Sequence, residues 1–179
     1  MRILIMGLPG AGKTTLASYI MRQFPGYQKY SFAQKVKELC VDLFQMETKN
    51  RPLLIQFANK MREIDPNVWV NQVLQQTKGK QNCIIDDVRY QNEVDALIDD
   101  GWVLIQLYVP YEVQKTRIKQ LYPNDYQDHF DAATHISEQN KFIFSAITED
   151  EKNKRRIVRK VFIITNNIKL YCNSIANDI

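Results

Sequence analysis

The stretch IMGLPGAGKTT, residues 5–15, decides the fold of this chain. Gly7 is followed by four residues and then by Gly12, Lys13 and Thr14, which is the complete phosphate-loop pattern. A short apolar run precedes the pattern, and apolar residues at helical spacing follow it. The stretch therefore predicts a strand, a phosphate-binding loop and a helix in succession.

The chemistry of this loop follows from its residue types. Glycines let the backbone curl so that several N–H groups face one anion, and the following helix adds the positive end of its dipole. Lys13 is expected to reach the terminal phosphates of a nucleoside triphosphate, and the Thr14 hydroxyl to bind Mg²⁺. The alternative is an ordinary glycine-rich turn, which the complete pattern in this context disfavours.

Composition limits the classes of protein to consider. The chain has 179 residues, of which 45% are hydrophobic and 25% charged, as is ordinary for one soluble domain. A net charge of +4 suits anionic small molecules and gives no reason to expect nucleic acid as a partner. Three scattered cysteines argue against disulfides and zinc, and no leader or membrane span is recognised, so an intracellular location is expected.

Apolar runs alternate with stretches of helical spacing along the chain. The predicted strands are residues 2–6, 82–87, 102–109 and 160–165, with a weaker one at 29–32. The helix after the loop is followed by predicted helices at residues 32–44, 52–63, 66–76, 91–99 and 111–121. This alternation predicts one three-layer α/β domain over residues 1–179 with a parallel sheet, and the charged segment 122–158 is interpreted as a lid.

A second informative piece is CIIDDVRYQNE, residues 83–93. An apolar strand ending in Asp86 and Asp87 is similar to the acidic strand end that supports Mg²⁺ in phosphate-loop proteins. Arg89 follows two residues later, where it would pair with a phosphate or a carboxylate. Acidic turns after strands are also common without any function.

Other polar residues have two interpretations each. Arg51 would lie at the mouth of the cleft, whereas Trp69 is most simply buried. The basic helix around Arg117 and the basic run at 152–160 would either close over phosphates or form solvated surfaces. His135 is interpreted as structural, because phosphoryl transfer depends on positioning and charge neutralisation more than on a base.

The assembled motifs resemble those of the deoxynucleoside monophosphate kinases of phages and large DNA viruses. The resemblance is carried by GLPGAGKTT, YSFAQKVKEL, DPNVWV, IIDDVRYQNEVDAL, THISE and FIITNN, which span most of the chain. It implies a phosphate-loop kinase fold with five parallel strands, ATP and Mg²⁺ as cofactors, a deoxynucleoside monophosphate as acceptor, and a cytoplasmic location, in the host cell if the protein is viral. A homodimer is compatible with it. The stretch 141–160 departs from the pattern as an insertion.

The resemblance also assigns roles to individual residues. Asp87 and Arg89 match the aspartate and arginine of the family motif, facing the acceptor and Mg²⁺, and Arg117 matches a lid arginine more loosely. The implied catalytic set is Lys13, Asp87, Arg89 and Arg117, and the implied metal ligands are Thr14 and Asp87. The implied ATP-binding residues are Gly7, Gly10, Ala11, Gly12, Lys13, Thr14, Thr15 and Asn166. The candidates for acceptor binding are Lys37, Arg51, Trp69 and Arg89.

Three alternatives remain open from the sequence. Another small-molecule kinase, of the adenylate or dephospho-coenzyme A type, would share the loop chemistry. A nucleotide-dependent switch or ATPase is disfavoured because the guanine motif Asn-Lys-x-Asp is absent and no residues remain for a coupled domain. A kinase-like protein without activity is disfavoured by the intact Lys13, Thr14 and Asp87.

Overall fold

The computed structural model describes residues 1–124, 126–127 and 159–163. The strands in these ranges are β1 (Ile3–Met6), β2 (Gln28–Tyr30), β3 (Cys83–Ile85), β4 (Val103–Tyr108) and β5 (Arg159–Ile163). The helices there are α1 (Lys13–Gln23), α2 (Phe32–Phe44), α3 (Arg51–Ile64), α4 (Val68–Thr77), α5 (Gln91–Asp99) and α6 (Tyr111–Leu121). The predicted lid at 122–158 lies almost entirely outside the described residues.

The strands form one parallel sheet of five, in the order β2-β3-β1-β4-β5. Strand β1 is central, with Leu4 paired to Ile85 of β3 on one side and to Leu104 of β4 on the other. The phosphate-loop strand is thus flanked by the acidic strand and by the strand that leads into α6. The predicted fold class is confirmed.

Two separate clusters of buried side chains cover the two faces of the sheet. Ile3 and Ile5 of β1 pack with residues of α1, whereas Leu4 and Met6 pack with residues of α2, α4 and α5. Neighbouring residues of a strand point to opposite faces, so a strand covered on both sides must be apolar throughout. The continuous apolar runs in the sequence therefore predicted this three-layer arrangement correctly.

Helix boundaries agree closely with the predicted spans, with one informative shift. Helices α2, α5 and α6 cover the predicted 32–44, 91–99 and 111–121. Helix α4 begins at Val68 rather than Pro66, because the Asp65 carboxylate accepts the Asn67 N–H at 2.8 Å and closes a turn first. Within the described ranges, none of the helices combines the length and apolar character needed to cross a bilayer.

Candidate functional site

The phosphate loop adopts a conformation that requires its glycines. Gly10 and Gly12 have φ of 76° and 93°, in the left-handed region that favours glycine. A Cβ at Gly7, whose φ is 155°, would lie 2.8 Å from the Leu107 carbonyl oxygen and 3.0 Å from the Ala11 Cβ. The loop conformation therefore depends on these glycines, because a side chain at Gly7 would clash with β4 and side chains at Gly10 and Gly12 would strain the backbone.

The loop's own carbonyls hold the Lys13 ammonium. Its Nζ donates to the carbonyl oxygens of Gly7 at 2.7 Å and Leu8 at 3.1 Å. The Ala11 N–H donates to the Leu8 carbonyl at 3.0 Å, so this predicted phosphate donor is engaged within the loop. A positive charge therefore lies against the loop backbone, and the contact of Lys13 with terminal phosphates stays a prediction.

Helix α1 begins directly behind the loop with an N-terminus open to an anion. Gly12 occupies the N-cap position, no side chain caps the helix, and no acidic residue lies in its first turn. Thr14 and Thr15 are exposed there. Unsatisfied N–H groups and the helix dipole favour a phosphate at such an end, and the Thr14 hydroxyl is accessible to a cation bound to that phosphate. The loop and helix together fit the phosphate chain of a nucleotide.

The two aspartates after β3 have different partners. Asp86 is only 5% exposed, and its Oδ2 lies 2.7 Å from the Lys29 Nζ of β2. By strand alternation it continues the face of Ile84, which packs on the α1 side of the sheet. Asp86 is therefore a buried carboxylate on the phosphate-loop side, with one cationic partner.

Asp87 instead holds the start of α2. Its Oδ1 accepts the Phe32 N–H at 3.1 Å, while its Oδ2 accepts the Ala33 N–H at 3.0 Å and the Ser31 hydroxyl at 2.6 Å. A carboxylate in this position satisfies N–H groups that helix geometry leaves without partners. The structure thus gives Asp87 a helix-capping role that the sequence did not predict, and direct metal binding by Asp87 would compete with these bonds.

The segment that carries Arg89 is fixed by a buried glutamate. Glu93 is 2% exposed, and its Oε2 accepts the backbone N–H groups of Arg89 at 2.8 Å and Tyr90 at 3.1 Å. Burial raises the pKa of the Glu93 carboxyl above its ordinary value, although these two backbone hydrogen bonds and Arg62 favour the charged form. The Arg62 Nη2 lies 3.6 Å from Glu93, and the Arg62 guanidinium lies 4.2 Å from the Tyr90 ring centroid.

This arrangement orients the backbone at Arg89 while its side chain remains exposed. The sequence did not predict Glu93 and Arg62 as residues of the site. The Glu93 role was accessible from the spacing YQNE, in which a glutamate at the third helical position caps its own helix. The partner Arg62 lies on another helix, and no local pattern indicates that contact.

Helix α6 supports the outer side of the phosphate loop. Gln114 is 6% exposed, and its Nε2 donates to the Pro9 carbonyl at 2.8 Å. The Arg117 Nη1 donates to the Gly10 carbonyl at 3.3 Å. The resemblance implies a lid arginine at Arg117, and in the structure this side chain contacts the backbone of the phosphate loop. Gln114 was not predicted, because its partner is 105 residues away in the chain.

The remaining predicted residues are distributed differently. Lys37 and Arg51 are exposed on α2 and at the start of α3. Trp69 is a correction to the acceptor-binding candidates, because it is 3% exposed and its Nε1 donates to the Ala58 carbonyl at 3.2 Å inside the core. It packs against Phe57, in line with the simpler interpretation of a buried residue. Asn166, His135 and the stretch 141–158 lie outside the described residues.

Few protein side chains in the described site are suited to bind a metal ion. In the part of the chain that the structure describes, no three His, Cys, Asp or Glu side chains cluster as a metal site. Mg²⁺ bound to a nucleotide does not need such a cluster, since phosphate oxygens and water supply most of its ligands. The accessible Thr14 hydroxyl and one aspartate after β3 fit that coordination.

The loop, the helix behind it and the acidic strand beside it define a P-loop nucleotide-binding domain on a parallel α/β sheet. A protein-family model described as "AAA domain" matches residues 3–136, which is more than half of the chain. The chain therefore belongs to this family of P-loop proteins.

Two further comparisons concern individual proteins. No curated protein matches the sequence. The chain is similar in structure to an uncharacterized protein from Eubacterium ventriosum, with a TM-score of 0.55 and 12% identity over 99% of this chain and 98% of the other. At that identity, the likeness supports the fold alone.

Proposed function

We propose that this protein is an ATP-dependent nucleoside monophosphate kinase that transfers the γ-phosphoryl group of ATP to a deoxynucleoside monophosphate. One observation carries the proposal: the phosphate loop and the Arg89 segment follow adjacent parallel strands. Leu4 of β1 pairs with Ile85 of β3, so Gly7 and Arg89 follow that level by three and four residues. A donor phosphate at the loop and an acceptor phosphate near Arg89 would then lie at one edge of the sheet.

The proposed roles follow from the chemistry of each side chain. Lys13 and the backbone N–H groups of the loop neutralise the charge of the donor phosphates as the γ-phosphoryl group moves. Arg89 is suited to the acceptor phosphate, because its planar guanidinium donates two parallel hydrogen bonds and remains charged. When bound, Mg²⁺ supplies charge neutralisation at the donor phosphates, and Thr14 and an aspartate after β3 would hold it.

The fixed geometry of the Arg89 segment also supports an acceptor site. Glu93 satisfies two consecutive backbone N–H groups from a buried position, which is a costly way to order a loop. An exposed turn that is ordered in this way by a buried side chain is typical of a binding segment held on a rigid scaffold. The family match alone is equally compatible with an ATPase, in which water would accept the phosphoryl group.

An acceptor panel separates these functions. We expect ADP to form from ATP rapidly with at least one deoxynucleoside monophosphate and slowly without any acceptor, because a kinase excludes water from its closed site. The measurement is ADP release with each deoxy- and ribonucleoside monophosphate, with dephospho-coenzyme A, and with buffer alone. Equal rates in all mixtures would support the ATPase, and a response to dephospho-coenzyme A alone would support another small-molecule kinase.

A further inference from the structure

Side chains of α6 donate hydrogen bonds to backbone carbonyls of the phosphate loop at Pro9 and Gly10. Gln114 reaches the Pro9 carbonyl and Arg117 reaches the Gly10 carbonyl, at 2.8 Å and 3.3 Å. A Cβ on Gly10 would lie 3.2 Å from the Ile118 Cγ1 and 3.5 Å from the Gln114 Cγ, so the two segments are closely packed. Three residues of one helix face thus meet one turn of the loop.

The geometry of the peptide bond makes these contacts relevant to phosphate binding. In a trans peptide the C=O of one residue and the N–H of the next point in opposite directions. The described residues contain no cis peptide bond. Because Gln114 holds the Pro9 carbonyl toward α6, the N–H of Gly10 must point away from α6. A side chain 105 residues away in the sequence thereby sets the direction of a loop N–H group.

The burial of Gln114 supports a specific role rather than an incidental contact. Its side-chain amide is among the few buried polar groups in the described part of the chain. A leucine or methionine of similar size would fill that space without the cost of burying an amide. The buried amide is explained by its hydrogen bond to the Pro9 carbonyl, which fixes the orientation of the Pro9–Gly10 peptide.

We infer that Gln114 is a positioning residue that presents the Gly10 N–H to a nucleotide phosphate. The inference rests on nucleotide binding at the loop and does not depend on which molecule accepts the phosphoryl group. Gln114 itself is not expected to touch the nucleotide. Its effect passes through the backbone of the loop.

The test uses ADP as the probe and the full-length protein. In the wild type, the Gly10 amide proton should shift downfield when ADP binds, as expected for an N–H that donates to a phosphate. Gln114→Met keeps the side-chain length and removes the amide oxygen and nitrogen. It should weaken ADP binding by about tenfold, the factor that corresponds to the loss of one positioned hydrogen bond, and should largely abolish the Gly10 shift.

A matched control lies on the same helix. Gln120 is exposed on α6, so Gln120→Met makes the same chemical change away from the loop. It should leave the ADP dissociation constant and the Gly10 shift unchanged. In a kinase assay, Gln114→Met should raise the KM for ATP and leave the KM for the acceptor near its wild-type value, which a general loss of folding would not do.

Several outcomes would overturn the inference. An unchanged Gly10 amide in wild-type protein with bound ADP would contradict it directly, even if Gln114→Met failed to fold. Equal ADP affinity in the wild type and in folded Gln114→Met would also contradict it. These results are distinct from a failure of the proposed function, in which ADP binds and shifts Gly10 but no monophosphate is phosphorylated.

Discussion

The phosphate loop and the end of β3 lie at the same edge of the sheet, yet they present charge in opposite ways. At the loop, one cation rests on backbone carbonyls, and the α1 N-terminus has no capping side chain. At β3, both aspartates already have partners, Lys29 for Asp86 and the α2 N-terminus for Asp87. The phosphate loop, which works through its backbone, can therefore be recognised from the sequence alone. An aspartate after a strand can instead stabilise the fold or take part in the reaction, and the sequence does not distinguish these two roles.

The largest expected effect is at the loop. We expect Lys13→Ala to lower turnover at least about a hundredfold, because removing one cation from a charged site costs several kcal/mol of transition-state stabilisation. The fold should survive, since the Lys13 ammonium contacts loop carbonyls rather than the core. Steady-state rates at saturating ATP, with melting curves as control, test this. Turnover near the wild-type value would show that the loop does not serve catalysis.

The second effect divides the two aspartates. Asp87→Asn should lower the free energy of unfolding by about 1–3 kcal/mol, because an amide replaces a carboxylate that accepts three hydrogen bonds at the start of α2. The sequence motif predicts instead that Asp87→Asn raises the Mg²⁺ requirement with acceptor affinity intact. Asp86 is buried on the phosphate-loop side of the sheet, so it is the alternative residue whose substitution would raise the Mg²⁺ requirement.

Parallel Mg²⁺ titrations and denaturant curves on Asp86→Asn and Asp87→Asn separate these possibilities. If Asp87→Asn changes only the Mg²⁺ requirement and leaves stability intact, its helix-capping contacts are unimportant and the motif interpretation is right. If Asp86→Asn alone raises the Mg²⁺ requirement, the metal function belongs to the other aspartate.

A smaller effect is expected at Arg89. Arg89→Lys should raise the KM for the acceptor several-fold with little change in the KM for ATP, because a point charge replaces a planar guanidinium that donates two hydrogen bonds. Lys37→Met and Arg51→Met show whether the two other exposed acceptor candidates, on α2 and at the start of α3, contribute to the same KM. An equal rise in the KM for ATP would mean that Arg89 belongs to the donor side.

The smallest effect concerns the pH dependence of stability. Burial raises the pKa of Glu93, so the folded state binds its proton more tightly than the unfolded state does. The Glu93 ionisation therefore makes folding less favourable as the pH rises from the ordinary carboxyl range through the raised folded pKa. Relative to Glu93→Gln, the wild type should lose stability over that interval. Denaturant curves at several pH values test this, and a parallel pH dependence of the two proteins would contradict it.

The sequence was sufficient for most of the fold because the deciding signals are local. Continuous apolar runs predicted strands covered on both faces, and helical spacing predicted the bounds of α2, α5 and α6. The phosphate loop could also be recognised from the sequence, because its glycines and Lys13 lie within a few residues of one another. By contrast, the contacts of Asp87 with Phe32 and of Gln114 with Pro9 join residues 55 and 105 positions apart. Such partners become visible only in the folded chain.

The most direct test of the central claim follows the γ-phosphoryl group itself. ATP labelled at the γ-phosphate is mixed with one deoxynucleoside monophosphate at a time, and the products are separated for the wild type and for Lys13→Ala. The proposed kinase predicts label in a deoxynucleoside diphosphate with the wild type, at least about a hundredfold less with the variant, and little inorganic phosphate. Label that appears only in inorganic phosphate, at the same rate with every acceptor and with none, would contradict the account.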